Sequence, residues 1–312
     1  MAVDVAVSGG QTMDKVTLDI MLPFYGDPEM MRIAVESIVG QDDPNWRLTV
    51  VDDGYPDETI PGWFAELGDD RVRYFRNEVN LGANRNYHRC VGLIDYELAV
   101  IMGADDKMLP NYVRTVRAAF REFPDAGFAQ PGVRVIDENG LPVRTLVDEV
   151  KRTIYAPRGS GRRVFSGEWL ARSLLRGDWL YFPSLCWRSD ALRHAGFRDG
   201  LNVVQDLALA IDLVQQGERL IVDDEVCFEY RRHRASDSSL RALAGDRFVE
   251  ERRYFVETAA DMRERGWNRA ARSSQFHLSS RIHALTLLPK AAWHRHRAGM
   301  RTLINHAFGR GR

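Results

Sequence analysis

The sequence predicts an α/β protein in which a Rossmann-like, mostly parallel sheet is flanked by helices and followed by a helical C-terminal extension. Three observations support this fold class. Apolar, strand-like runs alternate with helix-like stretches four times between residues 16 and 120, which is typical of a doubly wound sheet. Polar residues, chiefly Asp and Asn, follow these strands. Beyond residue 240 the apolar residues keep helical spacing.

The predicted elements follow from apolar spacing and from the turn residues at their ends. The first predicted strands are 16–25, 46–51, 71–75 and 98–102, and the helices between and after them are 28–39, 60–67, 84–94 and 112–120. Further strands are predicted at 127–136, 185–188 and 219–222, a helix at 166–175, and a basic loop at 151–163. The C-terminal helices are predicted around 248–259 and at 269–288 and 291–308.

The bulk composition is that of an ordinary globular protein. The chain has 312 residues, of which 45% are hydrophobic and 28% charged, with a net charge of −1. This balance gives no argument for a nucleic-acid partner. The three cysteines are far apart and odd in number, so a disulfide framework is disfavoured and a cytoplasmic location is expected. No apolar run reaches the ~18 residues of a membrane span, and residues 1–15 are expected to be flexible.

The charge is unevenly distributed along the chain. Residues 281–312 contain seven Arg or Lys and no Asp or Glu, whereas the first 280 residues carry 36 basic and 44 acidic residues. The apolar side of the last predicted helix consists of Trp293, Met300, Leu303, Ile304 and Phe308. Such a basic amphipathic segment can lie on an anionic membrane surface. It can equally pack on the rest of the protein or on another subunit.

Two adjacent carboxylates, Asp105 and Asp106, follow the strand at 98–102. Ligands bind beyond the carboxyl ends of strands in open α/β sheets, and carboxylate oxygens suit a hard divalent cation that can neutralise a diphosphate. The same pair can instead form a polar turn that caps the next helix. Neither a dinucleotide-binding glycine motif nor a P-loop follows the first strand, so a bound phosphate needs another source of positive charge.

Four short motifs, in this order and spacing, resemble the inverting nucleotide-sugar glycosyltransferases of family 2, which have the GT-A fold. The motifs are Leu22-Pro-Phe-Tyr25, Val50-Val-Asp-Asp-Gly54, Asn80-Leu-Gly82 with Asn86, and Gly103-Ala-Asp-Asp106 with Leu109-Pro110. The resemblance implies that a sugar is transferred from a nucleoside-diphosphate sugar, with UDP as the expected nucleotide. The implied acceptor is a hydroxyl group of a glycan or lipid-linked molecule, as in cell-surface polysaccharide or glycoconjugate synthesis.

The resemblance also implies a donor site with a divalent metal. The implied nucleotide-sugar-binding residues are Pro23, Tyr25, Asp27, Asp52, Asp53, Asn80, Gly82, Asn86 and Asp105. Asp105 and Asp106 would hold Mn²⁺ or Mg²⁺. His233, in Tyr230-Arg-Arg-His233, would complete the metal site or touch the diphosphate. The chain departs from the family at Gly103, where many members carry an acidic residue.

The implied acceptor side centres on Asp206, at the start of a predicted helix. The helix dipole favours a carboxylate there, and its simplest role is a helix cap. In the family the corresponding Asp is the general base that takes a proton from the acceptor hydroxyl. A Glu precedes it in the family, where this chain has Gln205. Trp179 and Tyr181 are candidates for contact with the acceptor sugar, although aromatic residues here can equally belong to the core.

The predicted domains are a flexible N-terminus at 1–15, a catalytic domain at 16–239 and a basic helical extension at 240–312. Within the catalytic domain, 16–115 would bind the nucleotide and 116–239 the acceptor. Two other functions stay open on the residues alone. A nucleotidyltransferase of related fold usually has a Gly-rich, basic loop after the first strand. A non-catalytic nucleotide-sugar-binding protein would lack the base.

Overall fold

The computed structural model describes residues 17–232, 246–293 and 297–309. The strands are β1 (Leu18–Phe24), β2 (Trp46–Asp52), β3 (Val72–Arg76), β4 (Leu98–Ile101), β5 (Lys107–Met108), β6 (Phe128–Ile136), β7 (Arg163–Phe165), β8 (Cys186–Arg188) and β9 (Leu220–Arg231). The helices are α1 (Pro28–Val39), α2 (Ile60–Leu67), α3 (Ala83–Gly92), α4 (Tyr112–Glu122), α5 (Leu146–Val150), α6 (Gly167–Arg176), α7 (Ser189–Ala195), α8 (Gln205–Gln216), α9 (Asp246–Glu264), α10 (Asn268–Phe276), α11 (Leu278–Trp293) and α12 (Arg297–Phe308).

Within the described residues the strands form one mixed sheet. Its order is β3-β2-β1-β4-β8-β6-β9-β5, and β7 pairs with β9. The strands β1 to β4 run parallel to their neighbours in this group, and β6 is parallel to β9. Between the two groups, β8 is antiparallel to both β4 and β6. The predicted α/β class with flanking helices is confirmed.

Two hydrophobic clusters cover the two faces of the sheet. On β1, Met21 belongs to one cluster while Leu18 and Ile20 belong to the other, because successive side chains of a strand point to opposite faces. Residues of α3, α6 and α8 complete the first cluster, and residues of α1 and α4 complete the second. Burial on both faces explains why these strands are continuous apolar runs in the sequence.

The elements predicted before residue 123 are confirmed, and α1 and α2 have the predicted bounds. At the start of α1, the Asp27 carboxylate accepts a hydrogen bond of 2.8 Å from the Glu29 N–H. Pro28 occupies the first helical position, where its missing N–H is not needed. The local signals for this helix are therefore complete in the sequence, and Asp27 acts as its N-cap.

The middle of the chain contains elements that periodicity does not predict. The stretch 151–163, predicted as a loop, begins with the π-helical turn Lys151–Tyr155 and ends in β7. The strand predicted at 219–222 continues as β9 to Arg231, because its second half pairs with β6 and with the short β5. These elements depend on pairing between distant segments, which leaves little trace in local spacing.

The C-terminal extension is helical, with boundaries that differ from the prediction. The helix predicted at 269–288 is divided into α10 and α11 at His277, whose φ of 30° lies in the left-handed region. α11 then continues through Pro289, where a break between helices was expected. α9 and α10 pack against the first hydrophobic cluster, whereas α11, α12 and Phe248 form a third.

Helix α12 directs much of its apolar side toward the protein. Leu303 is fully buried and Met300 packs against the third cluster, while Ile304 and Phe308 are exposed. This arrangement corresponds to the packed-helix alternative for this segment. No helix in the described ranges is long and apolar enough to cross a membrane. All three cysteines are buried and free.

Two buried histidines make the C-terminal helices sensitive to acid. The rings of His277 and His306 lie with their centres 5.1 Å apart. Burial lowers the pKa of each to about 4, whereas an unfolded histidine has a pKa of about 6.5. Unfolding therefore takes up protons, so the stability from these groups is complete above about pH 6.5 and is lost as the pH falls toward 4.

We expect His277→Gln and His306→Gln to reduce the drop in melting temperature between about pH 7 and about pH 5, because each variant removes one buried proton acceptor. Thermal unfolding followed by circular dichroism measures this drop. The exposed His88 supplies the control, and His88→Gln should keep the wild-type drop. A wild-type drop in both buried-site variants would contradict the assignment.

Candidate functional site

The parallel pairing of β1, β2 and β4 brings polar strand ends to one edge of the sheet. β1 lies between the other two strands, and its last residue, Phe24, is level with Asp52 at the end of β2. Tyr25, Asp53 and Asp105 follow the ends of these three strands. The sheet therefore places the polar residues of three separate sequence motifs side by side.

Asp52 holds neighbouring residues in place at this edge of the sheet. Its carboxylate accepts hydrogen bonds of 2.8 Å from the N–H of Tyr55 and 2.5 Å from the hydroxyl of Tyr74. Above it, the Tyr25 side chain is 57% exposed and meets the ring of Tyr55 edge-on. Pro23 is partly buried in β1. The Tyr25 ring is therefore accessible, and it lies against Tyr55, whose backbone N–H is bound by Asp52.

Asp53 holds the loop that follows β3. Its carboxylate accepts hydrogen bonds from the N–H groups of Leu81 and Gly82 at 2.8 and 2.9 Å. The side-chain oxygen of Asn80 also accepts from the Gly82 N–H, at 2.9 Å. Gly54 has a φ of 75°, and a Cβ there would lie 3.3 Å from the backbone nitrogen of Asn80. The loop and the end of β2 are therefore in direct backbone contact.

A buried amide pair ties the same loop to α3. Asn77 donates to Asp53 at 2.7 Å and to the side-chain oxygen of Asn86 at 3.1 Å. Asn86 in turn donates to the carbonyl of Val51 at 3.0 Å. Asn86 is buried, so these bonds make it a positioning residue for the loop rather than an open ligand group.

The carboxylates of Asp105 and Asp106 converge beside Gly103. One oxygen of Asp106 and one of Asp105 lie 2.6 and 2.9 Å from the point where a Cβ at position 103 would stand. The other oxygen of Asp106 accepts a hydrogen bond of 2.8 Å from the N–H of Arg231. The Arg231 guanidinium donates to the backbone carbonyl of Asp105 at 2.7 Å. Glycine at 103 leaves the space that the two carboxylates share.

This donor set fits a hard divalent cation in part. Burial raises the pKa of Asp106 well above its usual range, and the neighbouring Asp105 raises it further; a bound cation would favour the ionised form. Within the ranges that the structure describes, no group of three His, Cys, Asp or Glu side chains is arranged to hold a metal. His233, the third predicted ligand, lies outside those ranges. Two protein carboxylates with substrate oxygens are a common arrangement for Mg²⁺.

Asp206 lies in the first turn of α8, where the N–H of Leu207 donates to its carboxylate at 2.8 Å. Burial raises the pKa of Asp206 to about 6, and the carboxylate of Asp178 adds to the rise, while Lys151 opposes it. A carboxylate with a pKa near the working pH is suited to proton transfer.

Two charged residues that act on Asp206, Lys151 and Asp178, are not identified by the sequence analysis. Lys151 approaches the backbone carbonyl of Leu180 at 3.4 Å, and its ammonium lies 5.4 Å from the ring centre of Tyr181. Burial raises the pKa of both Asp178 and Asp206, and the charge of Lys151 opposes that rise. The three charged residues stand on separate segments, so no spacing in the sequence could have linked them.

Two tyrosines, Tyr87 and Tyr230, are influenced both by the strand-end carboxylates and by Asp206. Burial raises the pKa values of Tyr87 and Tyr230, and the charges of Asp105, Asp106 and Asp206 all raise them further. Each phenol therefore lies within electrostatic reach of all three carboxylates. The Tyr230 ring also packs on that of Tyr181, with ring centres 5.3 Å apart, and the next residue, Arg231, binds Asp106 through its N–H. Tyr230 therefore lies between the carboxylate pair and Tyr181, and Tyr87 is a further residue that motif analysis misses.

The predicted acceptor residues have different surroundings. The side-chain oxygen of Gln205 accepts a hydrogen bond of 2.7 Å from Asn84, a bond that a Glu could also accept. Tyr181 is partly exposed and donates to Asp148 at 2.9 Å. Trp179 is only 4% exposed and belongs to the first hydrophobic cluster. Of the two aromatic candidates, Tyr181 is the one with surface available to a ligand.

Comparison with known proteins points to one family. The family model described as Glycosyl transferase family 2 matches residues 19–180. The chain is 25% identical over 253 residues to the uncharacterized protein MT1568 of Mycobacterium tuberculosis, covering 76% of this chain and 74% of that protein. It is 23% identical over 165 residues to WcaA of Escherichia coli, whose name assigns it to glycosyl transfer in colanic acid biosynthesis. That match covers 51% of this chain and 59% of WcaA.

Solved structures show the same fold at low sequence identity. The crystal structure of residues 1–349 of S. aureus TarS in complex with UDP-GlcNAc superimposes with a TM-score of 0.60 and 15% identity. The match covers 77% of this chain and 66% of the TarS chain. The same TarS fragment in complex with UDP matches with a TM-score of 0.54.

Proposed function

Because the chain belongs to glycosyltransferase family 2, and is therefore a glycosyltransferase, we propose that it moves a sugar from a nucleoside-diphosphate sugar to an acceptor hydroxyl with inversion at the anomeric carbon. The observation that supports this most is that Tyr230 packs on Tyr181, a predicted acceptor residue, and directly precedes Arg231, whose N–H binds Asp106. A transferase of this type needs a diphosphate site and a base on opposite sides of one sugar. The family match disfavours the two alternatives that the residues alone left open.

In the proposed reaction Asp206 accepts the proton of the acceptor hydroxyl while the hydroxyl oxygen attacks the anomeric carbon. The bond between that carbon and the diphosphate oxygen breaks, and the nucleoside diphosphate leaves. Attack from the face opposite the leaving group inverts the centre, so an α-linked donor of the D series yields a β-linked product. Gln205 and Tyr181 are proposed to border the acceptor. The charge of Lys151 opposes the rise in the pKa of Asp206 that burial causes.

Asp105 and Asp106 are proposed to hold Mn²⁺ or Mg²⁺, with His233 as a further ligand. When bound, the metal supplies positive charge to the departing diphosphate. The convergence of two carboxylate oxygens beside Gly103 supports this proposal. So does the high pKa of Asp106, because two close carboxylates are costly to ionise together without a cation.

UDP is the proposed donor nucleotide, since the TarS structures of the same fold hold UDP-GlcNAc and UDP. The base and ribose are proposed to lie between the exposed Tyr25 ring and the Asn80–Gly82 segment that Asp53 anchors. Pro23 and Asp52 would form the floor. The proposed acceptor is a glycan or lipid-linked molecule in polysaccharide or glycoconjugate synthesis, as the name of WcaA suggests for that relative.

A basic, apolar face of the C-terminal extension is proposed to contact an anionic membrane surface. On α11, Leu278, Ile282 and Leu285 are 62, 57 and 37% exposed, and their spacing places them on one side of the helix. Ala284, on the other side, is buried in the third cluster. Residues 281–312 carry seven Arg or Lys and no Asp or Glu, so the net positive charge of this segment would attract anionic lipid.

Replacing Asp206 by Asn should lower turnover by about 100-fold or more, since proton abstraction is lost, while UDP binding stays near the wild-type level. In the wild type, kcat/KM should fall as the pH drops below about 6, where the Asp206 carboxylate takes up a proton. Product formation across pH and calorimetric titration with UDP measure these effects. The exposed Asp125 supplies the control variant Asp125→Asn. Loss of UDP binding in the Asp206 variant would contradict the base assignment.

Replacing Asp105 by Ala should abolish the metal-dependent part of nucleotide binding. Wild-type protein with UDP and Mn²⁺ should melt at a higher temperature than with UDP and EDTA, because a ligand of the native state stabilises it by mass action. The variant should have the same melting temperature with UDP and Mn²⁺ as with UDP and EDTA. The control is Asp70→Ala, which changes an exposed acidic residue. A wild-type shift that EDTA does not alter would rule out the metal site.

Replacing Ile282 and Leu285 together by Asp should prevent binding to vesicles that contain anionic lipid. The substitution removes apolar contact and adds negative charge at the same surface. Co-sedimentation with phosphatidylglycerol vesicles measures binding, and neutral phosphatidylcholine vesicles should retain little protein. Leu141→Asp, at an exposed position outside the C-terminal extension, is the control. Equal binding of the double variant and the control would contradict this contact.

A further inference from the structure

A groove on the acceptor half takes no part in the steps described above. It has a volume of about 390 Å³ and lies between the turn Lys151–Tyr155, the residues that follow this turn, and α6. The side chains that give the groove its chemical character are Ile154, Tyr155, Arg158, Trp169, Arg172 and Arg176. None of the lining residues in the described part of the chain is acidic.

An open aromatic ring forms one wall of the groove. The Trp169 side chain is 50% exposed, although a Trp of this size is usually largely buried. It stacks on Phe165 with ring centres 4.8 Å apart and an angle of 20° between the planes. One face of the indole is therefore held in place, and the other face is free to stack on the apolar side of a sugar ring.

Three arginines give the groove its charge. Arg172 and Arg176 are four residues apart on the outward side of α6, so their guanidinium groups can reach the same ligand. Their side chains have no ion-pair partner in the ranges that the structure describes, and Arg158 donates only to a backbone carbonyl. Exposed guanidinium groups bind phosphate and carboxylate in a bidentate manner.

The groove adjoins the proposed acceptor side through the turn Lys151–Tyr155. At one end of this turn, the Lys151 ammonium lies 5.4 Å from the ring centre of Tyr181, a proposed acceptor residue. At the other end, the Tyr155 ring packs on the backbone of Gly177, where a Cβ would lie 2.4 Å from the ring. Asp178 follows Gly177 directly. An acceptor chain that borders Tyr181 and continues along this turn would therefore reach the groove.

We propose that this groove binds the anionic part of an acceptor glycan. A sugar ring would stack on Trp169, and a phosphate or uronate carboxylate on the same chain would pair with Arg172 and Arg176. This inference rests on the proposed transfer to a glycan acceptor and adds the chemical class of that acceptor. It also assigns α6 to substrate recognition, for which no motif in the sequence provides a signal.

The test is binding of the full-length protein to an array that presents neutral, uronate-bearing and phosphate-bearing glycans. Wild-type protein should bind anionic glycans and bind their neutral counterparts about tenfold or more weakly, as expected when charge-assisted hydrogen bonds are lost. The double variant Arg172→Gln/Arg176→Gln and the variant Trp169→Ala should each lose this binding. The control Arg121→Gln/Arg301→Gln removes the same charge at exposed positions outside the groove and should bind as the wild type does.

Three results would overturn the proposal: no anionic glycan is bound, the Arg172/Arg176 variant binds like its charge-matched control, or Trp169→Ala binds like the wild type. In the last case the groove would be an anion site without sugar stacking, and competition by inorganic phosphate alone would confirm that. The melting temperature shift with UDP and Mn²⁺ is measured on the same variants. Its absence in the wild type would count against the proposed function, whereas its loss only in a groove variant would show that the variant is misfolded.

Discussion

The buried guanidinium of Arg231 joins the two halves of the site. It donates to the carbonyls of Asp105, Asp137 and Glu138 at 2.7 to 3.2 Å, and the backbone N–H of the same residue holds Asp106. A buried guanidinium without acceptors would be costly, so these carbonyls must stay where they are. The end of β9 therefore cannot shift without moving the carboxylate pair. This constraint keeps Asp105 and Asp106 aligned with the end of β9.

The carboxylates of the site divide into two kinds by their surroundings. Asp52 and Asp53 are buried among several hydrogen-bond donors, and they shape the loops at the polar edge of the sheet. Asp106 and Asp206 accept fewer hydrogen bonds than Asp52 and Asp53 do, and burial raises their pKa values. Groups whose charge the protein does not fully compensate are available to a cation or a proton. The surroundings of each carboxylate thus decide how far the protein itself compensates its charge.

The C-terminal extension packs against helix α6 and the first hydrophobic cluster. The carboxylate of Glu168 accepts a hydrogen bond of 2.5 Å from the N–H of Arg269 at the start of α10, and Ala270 and Ala271 are buried in the first cluster. Helix α6, which carries Trp169, is therefore held between the sheet and the extension. Its outward side is rigidly presented, which favours recognition of a ligand without a large cost of ordering.

The sequence by itself determined the alternation of strands and helices, the polar edge of the sheet and the identities of Asp105, Asp106 and Asp206 as candidates. These features are local, because strand periodicity, helix caps and short motifs lie within a few residues of one another. Only the tertiary structure decided that Trp179 is buried and that Lys151 and Asp178 stand beside Asp206. It also decided the length of β9 and the break at His277. Each of these depends on contacts between segments far apart in the chain, which set burial and electrostatic fields but leave no local pattern.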